Sequence, residues 1–351
     1  MKISIFLLIL VTGILIVYLV MKTEEAGLKD FEGYTQPDGS KNLVFQSPSP
    51  MPFEELTVPY LRNRSYHSSL GELQLYNENR NYSSFLTSYI SDGLRINGLL
   101  TIPAGEQPPG GWPAVVFVHG YIPPTSYNTT ENYIAYVDYL ARNGFVVFKI
   151  DLRGHGKSEG QAGGAYYSSD YVVDVLNAYS ALKDSDFVNA DKVGIWGHSM
   201  AGNVTLRAFV AQQNIPAVSI WAGAVYTYKD FAKLGIQDGS YRPPTNQTER
   251  QRKREQLRLL YGEPDDGNAF WELVAPTNYF DGVSGAIQLN HSVDDDVVDI
   301  EYSRGLDRIL ENTSIFHEFN EYNSGGHNIE DPSFAPAMEN TVKFFKKYLD
   351  S

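Results

Sequence analysis

The sequence predicts an α/β fold in which helices cover both faces of a doubly wound, mostly parallel sheet. From Ala114 onward, short apolar runs typical of buried strands alternate with longer stretches of helical periodicity. Upstream of Ala114, three strand-like segments follow one another without a helical stretch between them, which favours antiparallel pairing at one edge of the sheet. A chain of 351 residues with 42% hydrophobic content is also long enough to build one large core.

The antiparallel edge strands are expected at residues 72–76, 85–91 and 94–102. The parallel part is expected to contain a strand at 114–119, a helix at 131–143, a strand at 145–151, a helix at 168–183 and a strand at 192–196. A helix at 203–213, strands at 217–221, 285–291 and 314–319, and a last helix at 336–348 complete the pattern. Because the carboxyl ends of parallel strands lie at one edge of a sheet, residues in the loops after them should meet there.

A serine lies in the tight connection between the strand at 192–196 and the helix that follows it. The local sequence is Gly-His-Ser-Met-Ala-Gly, residues 197–202. In such a turn the serine adopts a strained backbone conformation and exposes its hydroxyl, and the residues two before and two after it must be small. Gly197 and Ala201 meet this requirement, so the pattern predicts Ser199 as a nucleophile.

A serine hydroxyl is a poor nucleophile near neutral pH unless a base accepts its proton and a carboxylate orients that base. On this type of fold the chain order is serine, acid, histidine. The strand at 285–291 ends in a loop with three adjacent aspartates, of which we favour Asp295 over Asp294 and Asp296. Among the seven histidines, His327 follows the last predicted strand in a glycine-rich loop, so it is the predicted base. His291 could reach the same site but precedes the acid.

The reaction also needs two backbone N–H groups that stabilise the negative oxygen of the tetrahedral intermediate. The first is predicted to be the amide of Met200, directly after the nucleophile. The second is expected after the strand at 114–119, where the amide of Tyr121 is the candidate. The alternative interpretation of Tyr121 is an aromatic residue buried in a loop.

With these motifs the chain resembles the α/β-hydrolase superfamily, in particular the catalytic domain of the prolyl oligopeptidase family of serine peptidases and the esterases closest to it. The matching motifs lie at 119–121, 151–158, 197–201, 291–298 and 326–327, and the resemblance covers about residues 70–350. The resemblance implies that the acid is the fifth residue of the motif that begins at His291, which is Asp295. Ser292 and Ala201 stand where the family more often has glycine, but both are small. Asp151 and Arg153 are expected to brace loops rather than to react.

The resemblance implies acyl transfer through a covalent intermediate on a small-molecule ester or a peptide, with no cofactor. Oligopeptidases of this family carry a large β-propeller before the catalytic domain, and this sequence has no room for one between its first apolar segment and residue 119. Family similarity favours a peptidase, whereas the missing propeller favours a carboxylesterase. A third hypothesis is a non-catalytic surface binding module.

The predicted domain organisation is a transmembrane anchor at 1–22, a proline-rich linker at 23–69 and a catalytic domain at 70–351. A lid insertion is expected at 223–283, because this segment is rich in aromatic residues and contains a helix-like basic stretch at 249–260. Packing of the same segment onto the core is an equally good interpretation of any single aromatic residue.

The amino-terminal residues 3–21 are an uncharged stretch of 19 residues, long enough to cross about 30 Å of hydrocarbon as a helix. No small-x-small cleavage site follows, so an uncleaved anchor is favoured over a cleaved signal peptide or a buried helix. Glu24 and Glu25 follow the stretch, which places the amino terminus in the cytoplasm. The sequence therefore predicts a single-pass membrane protein with an extracytoplasmic catalytic domain.

Composition restricts the other partners. The formal net charge of −14 argues against nucleic acid or anionic lipid as a partner of the soluble part. The chain has no cysteine, which excludes disulfides and thiolate metal sites. No glycine-rich phosphate loop or cluster of metal ligands stands out in the sequence.

Overall fold

The computed structural model describes residues 51–238, 249–264 and 267–349. From Pro52 onward these residues belong to one compact unit. The strands are β1 (Gln74–Glu78), β2 (Tyr82–Ser91), β3 (Leu94–Pro103), β4 (Trp112–Val118), β5 (Val146–Ile150), β6 (Val188–His198), β7 (Ala217–Trp221), β8 (Ala286–Ser292) and β9 (Phe316–Tyr322). The α-helices are α1 (Val58–Asn63), α2 (Ile134–Arg142), α3 (Asp170–Lys183), α4 (Ala201–Gln212), α5 (Tyr228–Leu234), α6 (Glu249–Tyr261), α7 (Ala269–Val274), α8 (Glu301–Leu310) and α9 (Phe334–Leu349).

The strands form one nine-stranded sheet in the order β1-β2-β3-β5-β4-β6-β7-β8-β9. β1, β2, β3 and β5 pair antiparallel in turn, and every pair from β5 through β4 to β9 is parallel. The predicted fold class is therefore confirmed, including the antiparallel edge. The strand order reverses beside β4, and loops at such a reversal form a crevice at the carboxyl ends of the strands.

Helices pack on both faces of the sheet and create two hydrophobic clusters. One cluster includes Leu176 of α3, Val204 of α4 and Leu306 of α8. The other includes Leu140 of α2 and Phe345 of α9. Burial on both faces explains why β5 and β7, all of whose residues are buried, appear in the sequence as mostly apolar runs, interrupted only by Lys149 and Ser219, rather than as alternating patterns.

The chain that precedes the sheet is also packed against it. α1 lies within the predicted linker at 23–69, of which residues before Met51 fall outside the described ranges. Its Val58 and Leu61 side chains are buried, and the Arg207 guanidinium of α4 donates a 2.6 Å hydrogen bond to the Leu56 carbonyl. Local periodicity did not predict α1, because its six residues are too few to show a helical pattern.

Arg153 and Asp174 form a buried ion pair in the scaffold below the site. The guanidinium of Arg153 approaches Asp174 Oδ1 to 2.7 Å, and its backbone N–H donates to Oδ2 at 3.0 Å. Burial raises the pKa of Asp174 against the opposing effect of the guanidinium. Ser91 adds a hydrogen bond to the same carboxylate at 2.7 Å. The pair therefore fixes the loop after β5 to α3.

Replacing Asp174 with alanine is expected to lower the free energy of unfolding by about 3 kcal/mol, because the guanidinium of Arg153 would lose its fully buried carboxylate and keep only the more exposed Asp170 at 3.2 Å and Asp92 at 3.6 Å. Urea unfolding followed by circular dichroism measures this loss. Glu339→Ala is the matched control, since it breaks an exposed pair with Lys343 on α9 and should cost less than about 1 kcal/mol. Equal losses in the two variants would contradict the expectation.

The predicted localisation needs correction. The predicted anchor at 1–22 lies outside the described residues, and none of the described helices is long and apolar enough to span a bilayer. The longest, α9, has 16 residues and a length of about 24 Å, against about 30 Å of hydrocarbon. It also carries charged residues, Lys346 and Lys347 among them. The described structure therefore contradicts the assignment as a single-pass membrane protein.

Candidate active site

Ser199 lies at the sharp turn between β6 and α4. Its φ angle is +56°, in the left-handed region that a non-glycine residue rarely adopts. The turn is held by a 2.9 Å hydrogen bond from Ser199 N–H to the Trp221 carbonyl, and by one of 2.8 Å from Gly202 N–H to the Ser199 carbonyl. A Cβ atom at Gly197 would lie 2.3 Å from Thr205 Oγ1, so only glycine fits there. The structure thus shows the strained, closely packed turn expected from the local sequence.

The structure brings the three predicted reactive side chains into one line of hydrogen bonds. The Ser199 hydroxyl lies 2.8 Å from His327 Nε2, and His327 Nδ1 lies 2.8 Å from Asp295 Oδ2. The residues follow the carboxyl ends of β6, β8 and β9, of which β8 and β9 are adjacent while β7 separates β6 from β8. With Nδ1–H donating to the carboxylate, Nε2 is left as the acceptor for the serine proton. This is the arrangement that general-base activation of a serine requires.

Asp295 is held as an ionised carboxylate. Its side chain is fully buried, and Oδ1 accepts backbone hydrogen bonds of 2.9 Å from both Val297 and Val298. Burial by itself would raise the pKa of Asp295, but hydrogen bonds from His291 and His327 outweigh it and hold that pKa below the usual range. A permanent negative charge therefore lies behind the imidazole of His327.

The two neighbouring aspartates have different surroundings. Asp294 Oδ1 accepts hydrogen bonds from Ser292 Oγ at 2.5 Å and from the Gly326 amide at 2.9 Å. Asp294 therefore ties the acid loop to the histidine loop without contacting the imidazole. Asp296 is exposed. Of the three candidates that the sequence left open, Asp295 alone is hydrogen-bonded to His327 within the described residues.

A second set of hydrogen bonds supports the backbone of His327. His198 Nε2 lies 2.9 Å from the His327 carbonyl, so this nitrogen carries the proton. Tyr133 Oη then donates to His198 Nδ1 at 2.7 Å and accepts from the Gly120 amide at 3.0 Å. Burial lowers the pKa of His198 to about 3, which keeps the ring neutral. Sequence reasoning did not identify Tyr133, because nothing in the local sequence relates residue 133 to residue 198.

The two predicted oxyanion donors lie beside the nucleophile. Met200 is the N-cap of α4, where the first amides of a helix have no intrahelical acceptor. Tyr121 lines the cavity that contains Ser199. The amide of Gly120 already donates to Tyr133 Oη, so the next amide in this loop, that of Tyr121, is the candidate for the second oxyanion donor. Their donor roles stay predictions.

The cavity at Ser199 has a volume of about 400 Å³. Its walls combine aromatic and aliphatic side chains with two carboxylates, those of Asp238 and Glu330. No lysine or arginine is among its described lining residues, so the field of the cavity favours neutral or cationic substrates over anionic ones. In the described ranges, no group of three or more histidine, aspartate and glutamate side chains is placed to hold a metal ion.

One described residue of the predicted lid at 223–283, Asp238, lines this cavity. Residues 239–248 and 265–266 of that segment fall outside the described ranges. Five of its aromatic residues are buried in the protein interior: Tyr226, Tyr228, Phe270, Trp271 and Phe280. These side chains stabilise the segment on the core, and the lid stays a prediction.

Comparison with known families gives a match of residues 113–237 to the serine aminopeptidase S33 family. Uncharacterized peptidase YtmA of Bacillus subtilis is 24% identical over 226 residues, which is 63% of this chain and 77% of that protein. Dipeptidyl peptidase 8 of Mus musculus is 30% identical over 152 residues, 42% of this chain. The match spans 17% of the length of that dipeptidyl peptidase.

Solved structures share the fold at low identity. Acetyl xylan esterase 1 from Thermoanaerobacterium superposes with a TM-score of 0.57 and 17% identity, over 84% of this chain and 91% of that one. A puromycin-hydrolyzing peptidase from Mycobacterium tuberculosis gives a TM-score of 0.57 and 21% identity, over 78% of this chain and 40% of that one. The chain is therefore a serine hydrolase with the α/β-hydrolase fold, similar to the catalytic domains of prolyl oligopeptidase family peptidases and related esterases.

Proposed function

We propose that this chain hydrolyses peptide or amide bonds by a serine acyl-enzyme mechanism. The observation that carries the proposal is the hydrogen-bonded line from Ser199 through His327 to the buried carboxylate of Asp295. The nucleophile and the base line a cavity of about 400 Å³, and the fixed negative charge of Asp295 lies behind the imidazole. The S33 aminopeptidase match and the peptidases among the similar proteins support the choice of bond.

In the first half of the reaction, His327 Nε2 accepts the proton of Ser199 as Oγ forms a bond to the substrate carbonyl carbon. The carbonyl oxygen becomes negative, and the amides of Met200 and Tyr121 stabilise it, each by about 3 kcal/mol in sites of this kind. Asp295 stabilises the imidazolium that His327 becomes.

In the second half, His327 donates its proton to the leaving nitrogen, and the bond between carbon and nitrogen breaks. The acyl group stays on Ser199 until water, deprotonated by His327, attacks the carbonyl carbon. Collapse of this second intermediate releases the acid and returns the proton to Ser199. All proton transfers pass through the imidazole of His327, so its orientation matters. Asp295 holds the ring at Nδ1, and His198 holds the backbone carbonyl of the same residue.

A carboxylesterase acting on small or medium acyl groups is the second candidate. The same nucleophile, base and amides would serve an ester, and an ester leaving group needs less help from the proton of His327 than an amine does. The described residues contain one sheet with its helices and no β-propeller that would select peptides by size. We propose that the segment 223–283 controls access instead, and the position of Asp238 in the cavity wall supports this.

The test compares kcat/KM of the full chain for one acyl group presented as an aryl ester and as an aryl anilide. An alanyl group is a suitable acyl group, because its free ammonium would be attracted to the two carboxylates of the cavity. If the anilide is hydrolysed within about a hundredfold of the ester, protonation by His327 is competent for amines and the peptidase assignment holds. Turnover of the ester alone would identify a carboxylesterase. Ser199→Ala is the blank, and an inert wild-type protein that no fluorophosphonate labels would favour the binding module.

A further inference from the structure

His291 makes a contact with the acid of the site that the mechanism above does not use. The residue belongs to β8, and its side chain is fully buried. Its Nε2 atom lies 3.1 Å from Asp295 Oδ2, the same oxygen that faces His327 Nδ1. Nε2 also lies 2.9 Å from the Val298 carbonyl, and Nδ1 lies 2.8 Å from Ser303 Oγ.

These three partners determine which ring nitrogen of His291 carries the proton. A carboxylate oxygen and a carbonyl oxygen can only accept, so Nε2 must be the protonated nitrogen and must donate to both. Nδ1 is then an acceptor, and the Ser303 hydroxyl donates to it. In the opposite tautomer the Nε2 lone pair would face two oxygen atoms inside the protein, which is unfavourable.

The carboxylate of Asp295 is therefore held at both oxygens. Backbone amides of Val297 and Val298 bind Oδ1, while His291 and His327 both donate to Oδ2. His327 must be free to exchange its Nε2 proton during the reaction, whereas His291 lies away from the nucleophile and can keep its contact throughout. We propose that His291, oriented by Ser303, is a positioning residue that keeps Oδ2 of Asp295 directed at His327 during the proposed acyl transfer.

The inference rests on the proposed function, since it assigns Asp295 as the acid. A purely structural role would instead require His291 only to fill its site in the core and to bond the Val298 carbonyl. The two roles differ in what they predict for the reaction rate of correctly folded molecules, because misplacement of Asp295 lowers kcat without changing how substrate binds.

The test uses a matched pair, His291→Gln and His291→Met, in the full chain. The two side chains have similar length and volume, but only glutamine offers an N–H to Oδ2. Active sites are counted by fluorophosphonate titration, so that kcat refers to folded enzyme. We expect kcat to fall about 10- to 50-fold in His291→Met with KM nearly unchanged, and to stay within about threefold of the wild type in His291→Gln.

Ser303→Ala provides a second, milder variant if His291→Met fails to fold. It should lower kcat about three- to tenfold with KM nearly unchanged, and an unchanged kcat would overturn the inference. Where His291→Met does fold, Ser303→Ala should have no further effect in that background, because the two residues act through one contact. Equal kcat values in His291→Gln and His291→Met would overturn the inference. So would additive effects on kcat of the substitutions at His291 and Ser303.

The rate of fluorophosphonate labelling separates this inference from the proposed function. Labelling needs an activated Ser199 but no natural substrate, so the same order of variants is expected in it even if neither ester nor anilide is turned over. Labelling that proceeds at one rate in wild type, His291→Gln and His291→Met would reject the role of His291. Loss of labelling in Ser199→Ala alone would still support the nucleophile.

Discussion

Replacing Ser199 with alanine is expected to lower kcat/KM by about 10⁶-fold and to abolish labelling by a fluorophosphonate probe. The hydroxyl lies 2.8 Å from His327 Nε2, at a turn that exposes it to the cavity. Alanine removes the atom that would form the covalent bond while leaving the rest of the turn in place. Activity on the preferred aryl ester and intensity of the labelled band are the two measurements.

Ser314→Ala is the matched control for this variant, because Ser314 is exposed and lies in the loop before β9 rather than in the cavity. It should retain full activity and labelling. His327→Ala should lose activity to a similar extent as Ser199→Ala, since nucleophile and base act as a unit. Strong labelling that survives in Ser199→Ala would show that another residue is the nucleophile and would end the assignment.

The parts of the site that sequence could predict are those specified by short local patterns. β7 has the predicted bounds of 217–221, since a buried strand in a parallel sheet is a mostly apolar run between turn residues. The turn at Ser199 needs small residues at fixed offsets, so Gly197 and Ala201 identify it from six letters of sequence.

The parts that sequence could not predict depend on contacts between distant segments. Tyr133 is 65 residues from His198, and its two hydrogen bonds exist only because α2 packs beside the end of β6. Likewise, Ser303 bonds to His291 Nδ1 from α8, a helix that no local pattern predicted. The apolar stretch at 3–21 lies outside the described residues, so the anchor stays a prediction, while the described helices contain no membrane span.

Choosing among the three adjacent aspartates shows where both kinds of information are needed. Asp294, Asp295 and Asp296 are adjacent in the loop at 292–298, which makes the choice among them ambiguous, and the family motif supported the preference for Asp295. In the structure the loop turns so that Asp295 faces inward to His327, while Asp294 binds the amide of Gly326. The glycines at 325 and 326 adopt positive φ angles of 127° and 59°, which let the histidine loop approach the acid loop.

Replacing Asp295 with asparagine is expected to lower kcat about 10⁴-fold with little change in KM. Asparagine fits the same space, but its amide can donate to His327 Nδ1. That would leave the proton of His327 on Nε2, the nitrogen that has to accept the proton of Ser199. The buried negative charge that stabilises the imidazolium would be lost as well. Steady-state kinetics on the preferred ester, corrected for active sites, measure the effect.

Asp296→Asn and Asp294→Asn are the matched controls for Asp295→Asn, because they make the same chemical change at the two neighbouring aspartates. Asp296 is exposed, so its variant should behave as wild type. Asp294→Asn keeps an acceptor for Ser292 and Gly326, and it should cost far less than Asp295→Asn because its carboxylate does not contact the imidazole. A larger loss at Asp294 than at Asp295 would mean that the loop rearranges when substrate binds. The acid of the reaction would then be Asp294, and His291 would lose the partner through which it is proposed to act.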